Sequence, residues 1–256
     1  MTTLIRADVR LAELGLAPSR TAAQQYIAAG RVFLLEADRR TAISKPSLKL
    51  LDDAVLEVTP DAADRYVSRG GLKLAGALAQ TGLAVAGWHC LDVGISTGGF
   101  ADCLLQAGAS RVVGVEVGHG QLHPRLLADP RVQQFEGVNA RALDQSAILA
   151  ANAGQPFDLA VADVSFISLT LVLPAFAELV RPGGYFLLLV KPQFEVGREG
   201  IGKGGIVRDT ALYAGVREKV EAAAAALQLR CLAWFNSPIE GGDGNHEFFL
   251  QLQRPD

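Results

Sequence analysis

The fold is decided by the segment Asp92-Val93-Gly94-Ile95-Ser96-Thr97-Gly98-Gly99-Phe100. The apolar pattern of residues 89–93 predicts a strand that leads into it, and residues 99–107 predict a helix that follows. Glycines at a strand–helix turn let the backbone approach a ligand closely, and the helix N-terminus offers unpaired N–H groups. The segment therefore predicts the first strand–helix unit of a ligand-binding α/β sheet.

Strand and helix patterns alternate from this segment to the C-terminus. Strands are predicted at residues 89–93, 111–115, 132–136, 159–163, 185–190, 230–235 and 247–252. Helices are predicted at residues 99–107, 142–152, 168–180 and 210–227. Repeated strand–helix units indicate a mostly parallel sheet with helices on both faces. The loop before the last strand is too short for a crossover helix, so we expect this seventh strand to pair antiparallel.

The first 58 residues follow a different pattern, which predicts a small α+β domain. Helices are expected at residues 7–15 and 19–29, the second of them capped by Ser19 and ended by Gly30. Short strands are expected at residues 31–35 and 54–58, with a polar turn at 36–40. Residues 59–67 are predicted to be a linker, which leaves 68–256 for the larger domain.

Charge is distributed unevenly along the chain. Residues 1–50 contain eight Lys and Arg against four Asp and Glu, although the whole chain has a formal net charge of −3. A basic module on an acidic body predicts binding to a polyanion, while an ordinary solvated surface remains the alternative because the excess is small. The candidate contacts for such a polyanion are Arg6, Arg10, Arg20, Arg31, Arg39, Arg40, Lys45 and Lys49.

Cysteine usage and hydropathy exclude several classes of protein. Cys90, Cys103 and Cys231 lie far apart and form no metal-ligand pair, as expected of free thiols in a reducing compartment. The N-terminus lacks the apolar core of a secretory signal. The longest membrane-like stretch, residues 164–177, has 14 residues, whereas a spanning helix needs about 20. We expect a soluble cytoplasmic protein with no metal and no membrane partner.

An acidic residue follows the second predicted strand. Glu116 stands about 20 residues after the Gly-rich turn, where a carboxylate can bind both hydroxyls of a ribose. The turn lacks the spacing G-x-G-x-x-G, which weighs against NAD. Turn and acid together indicate a nucleoside ligand.

The same turn also matches the nucleophile elbow G-x-S-x-G of hydrolases, with Ser96 as the nucleophile. Asp163 or Asp209, followed by His246, would supply its partners in the required chain order. The elbow of hydrolases normally follows several strands, whereas this one follows the first, and a hydrolase does not explain Glu116. An α/β hydrolase is therefore kept as an alternative.

Four charged residues are expected at one edge of the sheet. Asp163 ends the fourth predicted strand and Lys191 follows the fifth, at the edge where open α/β sheets bind ligands. Glu247 begins the last strand, which runs in the opposite direction and so starts at that edge. Lys73 lies in a turn or helix start ahead of the sheet. Each could be a helix cap or a surface charge, but their convergence favours a functional site.

These residues carry a resemblance to a known family. The set Lys73, Asp163, Lys191 and Glu247 is similar to the K-D-K-E tetrad of FtsJ-like RNA 2′-O-methyltransferases. Nearly the whole chain resembles the TlyA family of rRNA cytidine-2′-O-methyltransferases, some of which carry the name hemolysin. The matching segments are SRGGLKL, DVGISTGGF, VGHGQL, ADVSFISL, VKPQFEVGR, GKGGIVRD and GNHEFF.

The N-terminal part also resembles known modules. SRTAAQQYIAAGRVFL is similar to an RNA-binding module first seen in a small-subunit ribosomal protein, and Arg65-Tyr66-Val67 resembles a linker that couples RNA binding to cofactor binding in this family. Two departures stand out. Leu35-Glu36-Ala37-Asp38-Arg39-Arg40 replaces the usual Val-Asn-Gly turn, and Glu116 replaces a commoner Asp, a change that should preserve ribose binding.

The resemblance implies a Rossmann-like methyltransferase fold and transfer of a methyl group from S-adenosylmethionine to a cytidine 2′-hydroxyl of ribosomal RNA within ribosomal subunits. Lys191 would be the general base and Asp163 its orienting partner, with Lys73 and Glu247 as positioning residues. The expected cofactor-binding set is Asp92, Gly94, Ser96, Thr97, Gly98, Gly99, Phe100, Glu116, Asn139 and Asp163. The name hemolysin leaves a membrane-active protein as a second alternative.

Overall fold

The computed structural model describes residues 4–17, 19–37, 39–241 and 244–256. The chain divides into two compact units, Met1–Asp64 and Arg65–Asp256. The division falls within residues 59–67, the stretch predicted to be a linker.

The first unit is a small α+β structure. Its elements are β1 (Leu4–Arg6), α1 (Ala7–Glu13), α2 (Arg20–Ala28), β2 (Val32–Glu36), β3 (Arg39–Ala42), β4 (Lys49–Leu51) and β5 (Val55–Val58). β1 pairs with β4, and β2 lies between β3 and β5, all of them antiparallel. Ser19 caps α2 by accepting a hydrogen bond from the Ala22 N–H. The core contains Leu11, Ile27 and Val32.

Three strands of this unit were not predicted, namely β1, β3 and β4. The polar turn predicted at residues 36–40 is wrong in part, because Glu36 ends β2 while Arg39 and Arg40 begin β3. Asp38 lies outside the described residues. The sequence of β3 lacks an apolar alternation, so its strand conformation comes from backbone pairing with β2, which the side-chain pattern does not encode.

The second unit is an α/β sheet structure. Its helices are α3 (Gly70–Thr81), α4 (Gly99–Gln106), α5 (Pro124–Leu127), α6 (Gln145–Ala151), α7 (Leu169–Phe176), α8 (Pro192–Glu195) and α9 (Leu212–Ala226). Its strands are β6 (His89–Val93), β7 (Arg111–Val115), β8 (Val132–Phe135), β9 (Phe157–Ala162), β10 (Val180–Val190), β11 (Arg230–Asn236) and β12 (Phe248–Gln253).

The seven strands have the order β11-β12-β10-β9-β6-β7-β8. The contacts among β10, β9, β6, β7 and β8 are parallel, and β12 pairs antiparallel with both β10 and β11. The predicted mostly parallel sheet with an antiparallel last strand is therefore confirmed.

Both faces of the sheet are covered by helices, as predicted. On one face, Leu91 and Val93 of β6 pack in a core with α6, α7 and α9. On the other face, Cys90 packs in a core with Leu74 of α3 and Leu104 of α4. Lys73, expected in a turn or helix start, lies in α3. α5 and α8 were not predicted, and β10 begins at Val180 rather than at residue 185.

Candidate active site

The turn after β6 depends on glycine at two positions. Gly94 has φ 86° and Gly98 has φ 93°, in the left-handed region that side chains rarely adopt. A Cβ at Gly94 would lie 2.7 Å from the carbonyl oxygen of Asp163. Glycine at position 94 thus allows the turn to approach the end of the neighbouring strand β9.

Glu116 holds this turn from the end of β7. Its Oε2 accepts a hydrogen bond from the Ser96 N–H at 3.0 Å, and its Oε1 accepts one from the Gly118 N–H at 2.9 Å. Ser96 has φ 46°, a left-handed conformation that costs a non-glycine residue about 1–3 kcal/mol. The bond from Glu116 therefore stabilises a strained residue at the centre of the turn.

The N-terminal ends of α3 and α4 lie side by side. A Cβ at Gly99, the first residue of α4, would lie 2.3 Å from Ser68 Oγ and 2.9 Å from the backbone nitrogen of Gly71 in α3. Only glycine permits this approach. Two helix starts together present several N–H groups and the positive ends of two helix dipoles, which favour an anionic group.

A cavity opens at this edge of the sheet. Its lining is formed by Ser68, Arg69, Gly70, Lys73, Gly94, Ile95, Ser96, Thr97, Gly99, Phe100, Asp163, Ser165, Lys191 and Glu240. Six predicted cofactor-binding residues are among them: Gly94, Ser96, Thr97, Gly99, Phe100 and Asp163. Arg69, Ser165 and Glu240 were not predicted, because their proximity to the turn arises only from the fold.

The other four predicted cofactor-binding residues do not line the cavity. Asp92 is fully buried, and the space beside the Gly98 Cα is filled by Leu122 and Leu126. Asn139 is exposed, and its Oδ1 accepts a hydrogen bond from the Arg141 N–H. Glu116 accepts a hydrogen bond from the backbone of the turn but is not among the residues that line the cavity.

The four tetrad residues form two ion pairs. Lys191 Nζ lies 2.6 Å from Asp163 Oδ1 and donates a hydrogen bond to Ser165 Oγ at 2.8 Å. Lys73 Nζ lies 2.5 Å from Glu247 Oε2. Lys73, Lys191 and Asp163 line the cavity, whereas the Glu247 side chain is only 3% exposed and lies behind Lys73. The structure thus brings together all four residues predicted from the sequence.

Burial governs the acid–base properties of two carboxylates near the cavity. Burial is the main cause that raises the pKa of Glu247, and the hydrogen bond from Lys73 opposes this increase. Burial, followed by the charge of Asp163, raises the pKa of Asp92 to about 8. Asp92 therefore favours the neutral form near pH 7, in contrast to an exposed aspartate.

Phe166 was missed as a candidate functional residue. Its side chain is 91% exposed and its φ is 63°, three residues after Asp163. Its ring centroid lies 5.2 Å from that of Phe194. An exposed aromatic ring on a strained backbone beside the ion pairs is a surface on which a planar ligand group can stack. Exposure is a property of the fold, so the sequence carried no signal for it.

The hydrolase alternative is not supported by the geometry. Ser96 Oγ donates a hydrogen bond to Gln121 Oε1 at 3.0 Å, and Asp163 is paired with Lys191. The His246 ring packs edge-on against Tyr213. Among the described residues, no hydrogen bond joins Ser96 to His246, so the serine–histidine pair that such a hydrolase needs is not assembled.

Five of the eight predicted RNA-binding cations have partners inside the first unit. Arg6 and Arg20 each donate a hydrogen bond to the buried Asp8 at 2.9 Å. The hydrogen bond from Arg6 is the main cause that lowers the pKa of Asp8 well below its usual value. The other pairs are Arg10 with Glu13, Arg31 with Asp64 and Arg40 with Glu57.

The remaining three cations, Arg39, Lys45 and Lys49, are exposed, and their side chains make no hydrogen bond or ion pair with the described residues. They are the members of the predicted set that are fully available to an external anion.

Comparison with known proteins identifies the family. The model of the FtsJ-like methyltransferases matches residues 66–254, and the model of the S4 domain matches residues 5–34. The chain belongs to the FtsJ-like methyltransferase family. The predicted fold and the family resemblance are thereby confirmed. In the described residues, no helix has the length and apolarity required to span a membrane.

Relatives within this family cover nearly the whole chain. The chain is 44% identical over 253 residues to the 16S/23S rRNA (cytidine-2′-O)-methyltransferase TlyA of Mycobacterium tuberculosis, which covers 99% of this chain and 91% of that protein. It is 44% identical over 250 residues to YqxC of Bacillus subtilis, with 98% and 86% covered. A solved structure of a hemolysin-named protein from Streptococcus thermophilus has a TM-score of 0.75 and 40% identity, with 99% and 89% covered.

Proposed function

We propose that this protein transfers the methyl group of S-adenosylmethionine to the 2′-hydroxyl of a cytidine in ribosomal RNA. The observation that carries the proposal is the convergence of two lysine–carboxylate pairs, Lys191–Asp163 and Lys73–Glu247, on the cavity beside the Gly-rich turn. Membership of the FtsJ-like family and similarity to a cytidine-2′-O-methyltransferase support it.

The donor set at the cavity fits S-adenosylmethionine. The paired N-terminal ends of α3 and α4 would hold a carboxylate, Asp163 would hold an ammonium group, and Glu116 would bind ribose hydroxyls at the far side of the turn. When bound, this cofactor supplies a methyl group on a positively charged sulfur, a reactive centre that needs no metal.

Lys191 would remove the proton from the 2′-hydroxyl. A neutral lysine amine has two N–H groups and one lone pair. Asp163 and Ser165 provide two acceptors for the N–H groups, at 2.6 and 2.8 Å from Nζ. This arrangement would leave the lone pair for the substrate hydroxyl, so the two acceptors orient the base as well as hold it.

Lys73 would position the substrate from the second pair. Glu247 fixes its amine while remaining out of the cavity. The positive charge of Lys73 would then face the ribose or an adjacent phosphate. Phe166 would stack on a base that has left its helix, a contact worth about 1–3 kcal/mol. These contacts require a nucleotide that is extruded from RNA structure.

The first unit would hold the RNA through its phosphates. We take residues 1–58 as the RNA-binding domain, 59–67 as the linker and 68–256 as the catalytic domain. Phosphate contacts from Arg39, Lys45 and Lys49 would position the RNA without reading its sequence. The match to the S4 domain at residues 5–34 supports this assignment.

The test is methyl transfer to purified ribosomal subunits with labelled S-adenosylmethionine, followed by mapping of the modified nucleotide. We expect a 2′-O-methylated cytidine with the wild-type protein and none with Lys191→Arg. Lys219→Arg, at an exposed lysine that pairs with Glu195 and does not line the cavity, is the matched control and should retain activity. Methylation of a base atom, or no transfer to either subunit, would contradict the proposal.

A further inference from the structure

Seven cationic side chains of the described residues make no hydrogen bond or ion pair within the chain: Arg39, Lys45, Lys49, Arg141, Arg198, Lys203 and Arg208. Three of these seven lie in one segment, residues 197–208, which we call the basic loop. The only acidic residue of the basic loop is Glu199, so the net charge of the loop is positive. Residues outside the first 50 are acidic as a whole, so this cluster differs in sign from its surroundings.

The basic loop lies along the chain between Lys191 of one ion pair and Glu247 of the other. It begins after α8, which directly follows Lys191, and it ends ahead of α9. Asn245, two residues before Glu247, is 1% exposed and holds the far end of the loop. Its Nδ2 donates to the Gly205 carbonyl at 3.0 Å, and its Oδ1 accepts from the Val207 N–H at 2.9 Å. The loop is therefore fixed to the same sheet edge as the ion pairs.

The backbone of the basic loop is suited to close approach by a ligand. Five of its residues are glycines, and Gly204 and Gly205 have φ 82° and 80°. A Cβ at either of these two positions would meet nothing within 4 Å, so the space beside their Cα atoms is open. The N–H groups of Gly200, Gly202 and Gly205 already donate to carbonyls within the loop. The groups of the loop that can contact phosphate are therefore its cationic side chains, which the small glycines leave accessible.

We propose that the basic loop binds the phosphate backbone of the RNA next to the nucleotide to be methylated. Arg198, Lys203 and Arg208 supply the charges, and the glycines permit the RNA strand to pass close to the loop. The proposal rests on the proposed function, since it assigns an RNA substrate to the tetrad. It adds a second contact surface in the catalytic unit to the one in the first unit.

The test compares two variants with the same loss of charge. The loop variant carries Arg198→Gln, Lys203→Gln and Arg208→Gln. The control carries Arg111→Gln, Arg131→Gln and Arg230→Gln, at or just before the starts of β7, β8 and β11 and hence at the opposite edge of the sheet. Affinity for purified ribosomal subunits is measured over a range of salt concentrations, together with S-adenosylmethionine affinity and the single-turnover methylation rate.

We expect the loop variant to bind RNA about tenfold more weakly or worse, and its salt dependence to be flatter by about two units of slope, since each phosphate contact contributes about 0.7–0.9. Its S-adenosylmethionine affinity and its methylation rate at saturating RNA should match the wild type. Its thermal unfolding should be unchanged, because the three side chains have no internal partner to lose. The control should bind RNA like the wild type.

Two results would overturn the proposal. One is a loop variant with wild-type affinity and salt slope, and the other is an equal loss of affinity in the control. Failure of the proposed function has a separate signature, in which the wild-type protein does not methylate ribosomal RNA at all. In that case the affinities of the two variants still decide whether the loop binds RNA.

Discussion

Asp8 and Asp92 are both fully buried carboxylates, one in each unit, but their surroundings differ in charge. Asp8 receives hydrogen bonds from Arg6, Arg20 and Gln24, which lower its pKa. No cation of the described residues pairs with Asp92, and burial raises its pKa to about 8. At pH 7 the Asp8 carboxylate is therefore charged and is held by cationic side chains. The Asp92 carboxyl group, just before the Gly-rich turn, favours the neutral form at this pH.

This difference shows what a cation does in each unit. In the first unit, Arg6 and Arg20 neutralise a buried charge, and this structural task competes with binding of RNA. At the sheet edge, Lys191 and Lys73 have their own carboxylate partners but face a cavity. In both units a carboxylate partner thus fixes the position of the cation. The cation can act on a ligand only where a cavity lies next to the ion pair.

The largest effect is expected at Lys191. Lys191→Ala should lower the single-turnover methylation rate by about 10²–10⁴-fold, because it removes the proposed general base. Lys191→Arg should be nearly as inactive, since arginine keeps the charge but does not deprotonate. RNA affinity should barely change in either variant. Near-normal turnover of Lys191→Arg would instead make Lys191 an electrostatic positioning residue.

The second prediction concerns the opposite pH dependence of the two buried aspartates. In the unfolded chain an aspartate ionises near pH 4, whereas folded Asp92 remains protonated up to about pH 8. The free energy of unfolding of the wild type should therefore fall, relative to that of Asp92→Asn, as the pH rises from 4 to 8. The difference between the two proteins should change by up to about 1.4 kcal/mol per pH unit and stay constant above pH 8.

Asp8→Asn should show the reverse sign. The lowered pKa of Asp8 stabilises the folded state above pH 4, and this stabilisation is lost as the pH falls further. The variant should therefore be less stable than the wild type at pH 7, with the difference shrinking in acid. Urea unfolding of both variants between pH 3 and pH 9 measures the two slopes. Parallel pH profiles for the two variants would refute the comparison.

The sequence could predict the position of three tetrad members, all but Lys73, because strand periodicity locates strand ends. Asp163 and Lys191 follow apolar runs, and parallel strands place their carboxyl ends at one edge, so proximity follows from topology alone. Glu247 required only the direction of the last strand. In this part of the chain, backbone geometry determines which side chains meet.

The sequence could not predict which surface cations are free. Arg6 and Arg20 converge on Asp8 only because α1 and α2 pack together, and Arg40 reaches Glu57 across the three-stranded sheet. Long flexible side chains choose partners according to tertiary contacts, which neither composition nor spacing encodes. The exposure of Phe166 escaped prediction for the same reason.

The third prediction separates free from paired cations in the first unit. The combination Arg39→Gln, Lys45→Gln and Lys49→Gln should weaken RNA binding and flatten its salt slope by about two units, with little change in stability. Arg6→Gln with Arg20→Gln should lower the free energy of unfolding, because the buried Asp8 loses its charged partners. RNA titrations and urea unfolding of both variants provide the measurement. A loss of RNA affinity with no loss of stability in the Arg6→Gln, Arg20→Gln variant would contradict a structural role for these two arginines.

The smallest effect is expected at Ser96, where two contributions can be separated. Ser96 lines the cavity, and its Oγ is already bonded to Gln121. Ser96→Ala should therefore weaken S-adenosylmethionine binding by only about 0.5–1.5 kcal/mol, the contribution of one neutral hydrogen bond. Calorimetry on the purified protein measures this loss, and Gln121→Ala is the matched control that removes the internal partner but leaves the hydroxyl in place.

Ser96→Gly distinguishes the hydroxyl from the strained backbone. It removes the same hydroxyl but relieves the left-handed conformation at φ 46°, so it should be more stable than Ser96→Ala by about 1 kcal/mol. Both variants should lose the same cofactor affinity if the hydroxyl alone contacts the ligand. If Ser96→Gly binds more weakly than Ser96→Ala, the rigidity imposed on the turn by Glu116 and Ser96 contributes to the affinity. An esterase activity that depends on Ser96 would contradict a role of Ser96 in cofactor binding. A nucleophilic serine requires a general base beside it, and its observed partner Gln121 cannot act as one.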